Sequence, residues 1–317
     1  MSDGTPECYR PAREATGHAT IATVAPTRPA LRRSARRLGR CPVGLATFRL
    51  IDRMPLRRDR PRRALAELSY RLAPYRPMEP AQRAASVHHT ESLFLELVER
   101  LQPDTMIEAG AKDGGIAARV KAARPATRVV AFEANPYTFR RFAERHADGA
   151  SGVDYRNVAL SDRSGDVTFH VNVRPDGRPS ADGQGSLLTR VPDHARPTAE
   201  VGVSATSLDE CFEPAGNVSF ALWIDVEGAT RPLLRGGAAV LHRTAVLIVE
   251  VEERSIWGGQ ATRADVVDVL SRHGLVPVAR DFQSRYQFNL VFVRRELAGS
   301  PEMRAVLRAA GEPAATA

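Results

Sequence analysis

Three acid-bearing stretches at the ends of apolar runs carry most of the chemistry this sequence offers. The first is Glu108-Ala109-Gly110-Ala111-Lys112-Asp113-Gly114-Gly115. Its glycines permit a tight strand-to-helix turn in which backbone comes close to a ligand. A nicotinamide-binding GxGxxG turn would need glycine at 110, 112 and 115, and position 112 is Lys. That side chain obstructs the approach of a pyrophosphate, so a nucleoside without one suits the turn better. The second is Glu133, 23 residues after Gly110. A carboxylate there accepts two hydrogen bonds from a ribose diol; the alternative is a helix-capping or solvated Glu within Glu133-Ala134-Asn135-Pro136.

The third stretch is Asp225-Val226-Glu227-Gly228-Ala229, directly after Phe220-Ala221-Leu222-Trp223-Ile224. Alternation predicts Asp225 and Glu227 on one side of the strand at its exposed end. Two such carboxylates can hold an ammonium group, orient a hydroxyl or bind a divalent cation. A helix cap would account for one of them, not both. Glu250 closes the next apolar run, where crowding with other carboxylates raises a pKa. His170 and His194 are further candidate bases, though a surface or core position is the commoner reading of each. Neither an H-E-x-x-H pair nor a G-x-S-x-G elbow is present, which argues against zincins and α/β-hydrolases.

These acids need strands to end beneath them. Apolar residues Leu93, Phe94, Leu97, Val98 and Leu101 recur at helical spacing and predict a helix beginning at Thr90 and stopped by Pro103. Strands are expected over 105–109, 128–132, 153–160, 166–173, 220–226, 244–251, 275–279 and 288–293. Helices are expected over 116–123, 137–146 and 263–273. Strands this apolar, alternating with helices, argue a parallel or mixed sheet covered on both faces. The Pro- and Gly-punctuated run 174–205 reads as a lid or insertion loop, with Ser186 placed to reach a ligand on closure.

Composition sets the outer bounds. Of 317 residues, 43% are hydrophobic and 26% charged, as in ordinary globular chains. Cys8, Cys41 and Cys211 are too few and too scattered for a disulfide framework or a paired-cysteine zinc site. No apolar stretch is long enough for a membrane span or a secretory signal, so a cytoplasmic location is expected. The net charge of +8 is uneven: residues 1–80 hold 17 arginines against seven carboxylates, leaving the remainder at −2. Basicity thus belongs to the N-terminal stretch, and no nucleic-acid partner is expected. We expect 1–80 to be a poorly ordered Arg/Pro-rich extension with one helix-compatible stretch over 57–72, 81–297 to be the folded domain, and 298–317 to be a tail.

Taken in order, Ile107-Glu108-Ala109-Gly110-Ala111, Phe132-Glu133-Ala134-Asn135-Pro136, Asn157-Val158-Ala159-Leu160, Ile224-Asp225-Val226-Glu227-Gly228-Ala229 and Val249-Glu250 resemble the FkbM family of S-adenosylmethionine-dependent methyltransferases. The resemblance covers roughly residues 88–295. It implies an α/β fold with a Rossmann-like seven-stranded methyltransferase sheet, one strand antiparallel, and helices on both faces. It implies S-adenosyl-L-methionine as cofactor and methyl transfer to a hydroxyl of a sugar, glycan or secondary metabolite. Carried over, Glu108, Gly110, Ala111 and Gly114 would line the methionine part of the cofactor and Glu133 would hold the ribose. Asn157, Ala159, Leu160 and Ser161, with Asp162 beside them, would lie on the adenine side. Asp225 and Glu227 would face the methionine amine or the acceptor, and Asp225, Glu227 and Glu250 are the candidate catalytic carboxylates. No metal ligands are assigned. Departures from the family pattern are Lys112 in place of Asn, Trp223 in place of Lys and Thr230 in place of an acid. Two other readings stay open: a non-catalytic binding protein on the same fold, and a nicotinamide-dependent oxidoreductase. The acceptor and the oligomeric state are left undetermined.

Overall fold

A computed structural model describes residues 80–149, 151–212, 218–284 and 286–301, with Met303 and Val306. The extension 1–79, with the helix expected over 57–72, lies outside the described residues.

Helix α1 (Pro80–Leu101) precedes β1 (Thr105–Ala109), and α2 (Gly115–Ala123) and α3 (Pro136–Phe142) lead on to β2 (Arg128–Phe132) and β3 (Asp154–Arg156). Short β4 (Ala159–Leu160) is followed by β5 (Gly165–Asn172), β6 (Thr198–Thr206) and α4 (Leu208–Cys211). Then come β7 (Phe220–Ile224), α5 (Thr230–Arg235), α6 (Ala238–His242) and β8 (Thr244–Glu252). Helix α7 (Arg263–Arg272), β9 (Leu275–Arg280), β10 (Gln287–Arg294) and α8 (Arg295–Ala298) complete the order.

Seven strands form one sheet in the order β3-β2-β1-β7-β8-β10-β9. All neighbouring pairs are parallel except those of β10, which runs antiparallel to both β8 and β9. Alternate residues feed two cores, as expected of a sheet buried on both faces. Ile107, Val130, Leu222 and Leu247 pack on one side, and Met106, Val129, Ala221 and Val246 on the other. The expected Rossmann-like seven-stranded sheet with one antiparallel strand is therefore present.

Four local expectations change. Helix α1 starts ten residues before Thr90. The Ser86 and Thr90 hydroxyls donate to the helix's own carbonyls, Arg83 O and Ser86 O, and Ser86 Oγ accepts from the distant Phe282 N–H at 2.9 Å, so a tertiary contact holds polar residues in the helix. The strand expected over 153–160 is two strands in different sheets, because Asn157 turns its amide back to the carbonyls of Glu133 and Ala134. The run 174–205 is not loop throughout. Its last residues belong to β6, which pairs with β4 and β5 in a three-stranded sheet beside the strand ends. The C-terminal segment is not a free tail where it is described: Met303 and Val306 are buried in the core under α1.

Candidate active site

A cavity opens at the carboxyl ends of β1, β2 and β7, beneath the small sheet. Open α/β sheets bind ligands at this place. Of the residues singled out from the sequence, Gly110, Glu133, Ala159, Leu160, Asp225 and Glu227 line it. Glu108, Ala111, Gly114, Asn157, Ser161 and Glu250 do not.

The turns after β1 and β7 are laced together. Gly110 and Ala111 both donate to Phe132 O at 2.9 Å, and Asp225 N–H donates to Ala109 O at 2.9 Å. Gly110 has φ +78°, and a Cβ there would overlap the carbonyl oxygen of Asp225. Only glycine allows that approach.

Glu133 is 5% exposed, and each of its oxygens is held by backbone: Oε1 accepts from Asn135 N–H at 2.7 Å and Oε2 from Lys112 N–H at 2.8 Å. Burial raises its pKa to about 7, and these two bonds act against the rise. Each oxygen keeps a lone pair for a ligand. The capping role weighed for this segment falls to Asn135 instead, whose Oδ1 accepts from Tyr137 and Thr138 while its amide holds Ser180 O at 3.0 Å.

Glu108 stands behind the turn rather than in the cavity. Its Oε2 accepts from Ala117 N–H of α2 at 2.7 Å, and burial pushes its pKa up to about 8. Gly114 is covered by the His146 ring, whose Nε2 lies 2.9 Å from Asp113 O. Asn157 shapes the Glu133 loop through the carbonyl contacts given above, and Ser161 is buried beside exposed Asp162.

At the opposite wall, strand geometry stops at Ile224, so Asp225 and Glu227 project from a turn and not from a strand edge. Glu227 has φ +45° and Gly228 φ +79°, and the glycine is packed against the Trp257 ring. Single carboxylate oxygens of Asp225, Glu227 and Glu250 lie within 4.8 Å of one another, a spacing that a divalent cation can also bridge. Burial raises all three, Asp225 to about 6, Glu227 to about 7 and Glu250 well above the usual carboxylate range, and the charge of Asp225 adds to the rise at Glu227 and Glu250. Lys112 opposes the rise at Asp225, and Arg190 opposes it at Glu227. Glu250 and Glu252 are steadied by the amides of Gln287 (2.7 Å) and Gln260 (3.1 Å).

The segment between β5 and β6 forms the remaining wall through Gly183, Gly185 and Leu187. Ser186 is fully buried and its Oγ donates to Glu227 O at 2.7 Å, so it ties this wall to the Glu227 turn. Phe132, Val158, Phe169 and Leu187 supply apolar lining. The sequence marked none of these four as site residues, because an apolar residue beside a cavity carries no periodicity signal of its own. His170 stands on β5 next to Phe169, in register with Glu200, and His194 is exposed; neither lines the cavity. Trp223 packs edge-to-face on Phe94, ring centroids 5.4 Å apart, in the core under α1. It does not line the cavity.

The Methyltransferase FkbM domain profile matches residues 108–311. The 2-O-methyltransferase NoeI of Sinorhizobium fredii (strain NBRC 101917 / NGR234) is 28% identical over 194 residues, 58% of this chain and 77% of that protein. Among solved structures, methyltransferase FkbM from Methylobacillus flagellatus KT is 14% identical with a TM-score of 0.41, the match covering 78% of this chain and 58% of that one. The precorrin-6y C5,15-methyltransferase of Geobacter metallireducens GS-15 is 12% identical with a TM-score of 0.34, over 64% of this chain and 86% of its own. With the family profile spanning most of the chain and its motifs converging on one cavity, this protein belongs to the FkbM methyltransferase family.

Proposed function

We propose that this methyltransferase moves the methyl group of S-adenosylmethionine to a hydroxyl oxygen of a sugar, glycan or secondary metabolite. The observation that carries the reading is one cavity with Glu133 at one wall and Asp225 and Glu227, with Glu250 grouped beside them, at the other. The donor set fits the cofactor: a buried carboxylate with spare lone pairs for a diol, apolar lining for a base, and further carboxylates for positive charge. When bound, S-adenosylmethionine supplies an activated methyl on a cationic sulfur.

In this reading, Glu133 accepts the ribose hydroxyls while Ala159, Leu160 and Val158 flank the base. Asp225 orients the cofactor amine or the acceptor hydroxyl. Glu227, as carboxylate, takes the proton from the attacking oxygen, with Glu250 behind it as a source of negative field. Gly183 to Leu187 excludes water. Alignment supplies much of the rate, on the order of 7–11 kcal/mol in favourable intramolecular cases, so a carboxylate of pKa about 7 is base enough. Hydroxyl methylation is favoured by the 2-O-methyltransferase relative. We further propose that the catalytic domain begins at Pro80 and takes in Met303 and Val306, which are buried in its core, and that the protein works in the cytoplasm. Among the described residues no helix is long and apolar enough to cross a membrane.

The test is transfer of radiolabelled methyl from S-adenosylmethionine to a panel of mono- and oligosaccharides, phenols and amines. Label in an alkali-stable ether supports the reading. Label only on nitrogen or carbon overturns the oxygen assignment, and tight S-adenosylhomocysteine binding without any transfer would favour a non-catalytic role.

A further inference from the structure

Lys112 is one of only two lysines in the chain, and the site as described leaves its side chain without a task. Its backbone is held in the left-handed region at φ +50°, its N–H on Glu133 and its carbonyl accepting from the Tyr155 hydroxyl. Tyr155 is in turn stacked on Phe139, with ring centroids 4.9 Å apart. The base of the side chain is thus fixed from both sides. Its stem lies beside Gly183 of the cavity wall, where a Cβ would stand 3.1 Å from Lys112 Cδ. The side chain is exposed and makes no ion pair among the described residues, yet its charge reaches both Glu133 and Asp225.

The proposed donor carries two positive groups and one carboxylate on its amino-acid arm. Glu133, Asp225 and Glu227 suit the positive groups and repel the carboxylate, which needs a cation or a set of free N–H donors. The usual donors after a glycine turn are the first N–H groups of the next helix. In this chain they are already taken. Gly115 N–H goes to Asp113 at 3.2 Å, and the N–H groups of Ile116 and Ala117 go to Glu108. Two acidic side chains already occupy the positive end of α2, so a further anion is disfavoured there. Of the two cations acting on the cavity carboxylates, Arg190 lies over the Trp257 ring, 4.1 Å from its centroid, at the Glu227 end. Lys112 stands at the Glu133 end.

We propose that Lys112 binds the carboxylate of the cofactor's amino-acid arm, replacing the helix N-terminus that Glu108 and Asp113 have filled. The assignment rests on the S-adenosylmethionine reading above, and its test separates the two. Calorimetry would compare S-adenosylmethionine with decarboxylated S-adenosylmethionine, which keeps the sulfonium and the amine, on wild type, Lys112→Met and Lys112→Arg. Lys112→Met should weaken S-adenosylmethionine about tenfold, the scale of a charge-assisted hydrogen bond, and decarboxylated S-adenosylmethionine less than about twofold. Lys112→Arg should recover most of the loss. Thermal melts would verify that both variants fold. Equal weakening of the two ligands, or none in either, overturns the assignment while leaving the cofactor reading intact. Wild type that binds neither ligand overturns the cofactor reading and this assignment with it.

Discussion

At the β1–β2 end of the cavity, the carboxylates of Glu108 and Glu133 accept backbone N–H groups, three of them at 2.7–2.8 Å. At the β7–β8 end, Asp225 and Glu227 face one another and Glu250, with no hydrogen bond to either side chain among the described residues. Both ends are desolvated, and both sets of pKa values are raised. The difference lies in what holds each acid. One that bonds to backbone is locked to the turn, so its loss disturbs shape. One held only by neighbouring charges changes its protonation when a ligand or a proton arrives. The first arrangement suits binding a fixed group, and the second suits a transfer step.

The largest effect expected is that of Gly110→Ala, which strikes the lacing between the two ends. The added methyl meets the Asp225 carbonyl at a positive φ, and backbone on both sides cannot yield. Stability should fall by about 3 kcal/mol or more, read from urea unfolding. A normal unfolding curve would show that the two turns are independent. Asp225→Asn keeps shape and removes charge, so turnover should drop on the order of 10²-fold, with Glu227→Gln showing a separate loss. Activities within about threefold of wild type, below about 1 kcal/mol, would reduce the pair to structural acids and erase the contrast.

At the other end, Glu133→Ala should weaken S-adenosylmethionine by about 2 kcal/mol, and should also lower the melting temperature because two backbone N–H groups lose their acceptor. An unaltered dissociation constant would remove Glu133 from the ribose.

Protonation sharpens the comparison next. Because the folded chain holds Glu108, Glu133, Glu227 and Glu252 at pKa values of about 7–8, it binds protons that the unfolded chain has released above about pH 4.5. Raising pH through this window therefore favours unfolding. Asp104, Glu210 and Asp265, whose pKa values are lowered, act only at more acidic pH. The ligand-free protein should therefore melt at a lower temperature at pH 8 than at pH 5.5. A melting temperature that rises with pH across this range would contradict the burial of these acids. The smallest effect is that of Ser186→Ala. It loses the hydrogen bond to Glu227 O, at a cost of about 0.5–1 kcal/mol, and should speed proteolysis between residues 174 and 197; unchanged cleavage would detach that segment from the Glu227 turn.

Much of this frame was legible beforehand, for identifiable reasons. Short apolar runs ending in Gly or in an acid mark buried parallel strands, and Gly110 and Glu133 stood at a separation that a strand–helix–strand unit explains. The single strand expected over 153–160 is not found because nothing in Val153-Asp154-Tyr155-Arg156-Asn157-Val158-Ala159-Leu160 marks a change of sheet; the break comes from the Asn157 amide reaching residues 23 and 24 positions earlier. Residues 198–205 read as loop from the sequence because the prolines and glycines before them overshadow an alternating Thr-Ala-Glu-Val-Gly-Val pattern. Glu108 was read as lining the cofactor, whereas it turns to α2, since strand parity sends it to the face opposite Ile107 and Ala109.

What the sequence alone determined is most strands of the main sheet, the acids at their ends and the glycine that lets two turns meet, because burial patterns and backbone permissiveness are properties of neighbouring residues. Only the tertiary structure decided which acids are tied to N–H groups and which are left facing other charges. Those partners are supplied by segments 21 residues away for Glu133 and Lys112, and by the separate strands β7 and β8 for Asp225 and Glu250. A carboxylate's pKa and role follow from what folding brings within a few ångströms of it, and no local spacing encodes that.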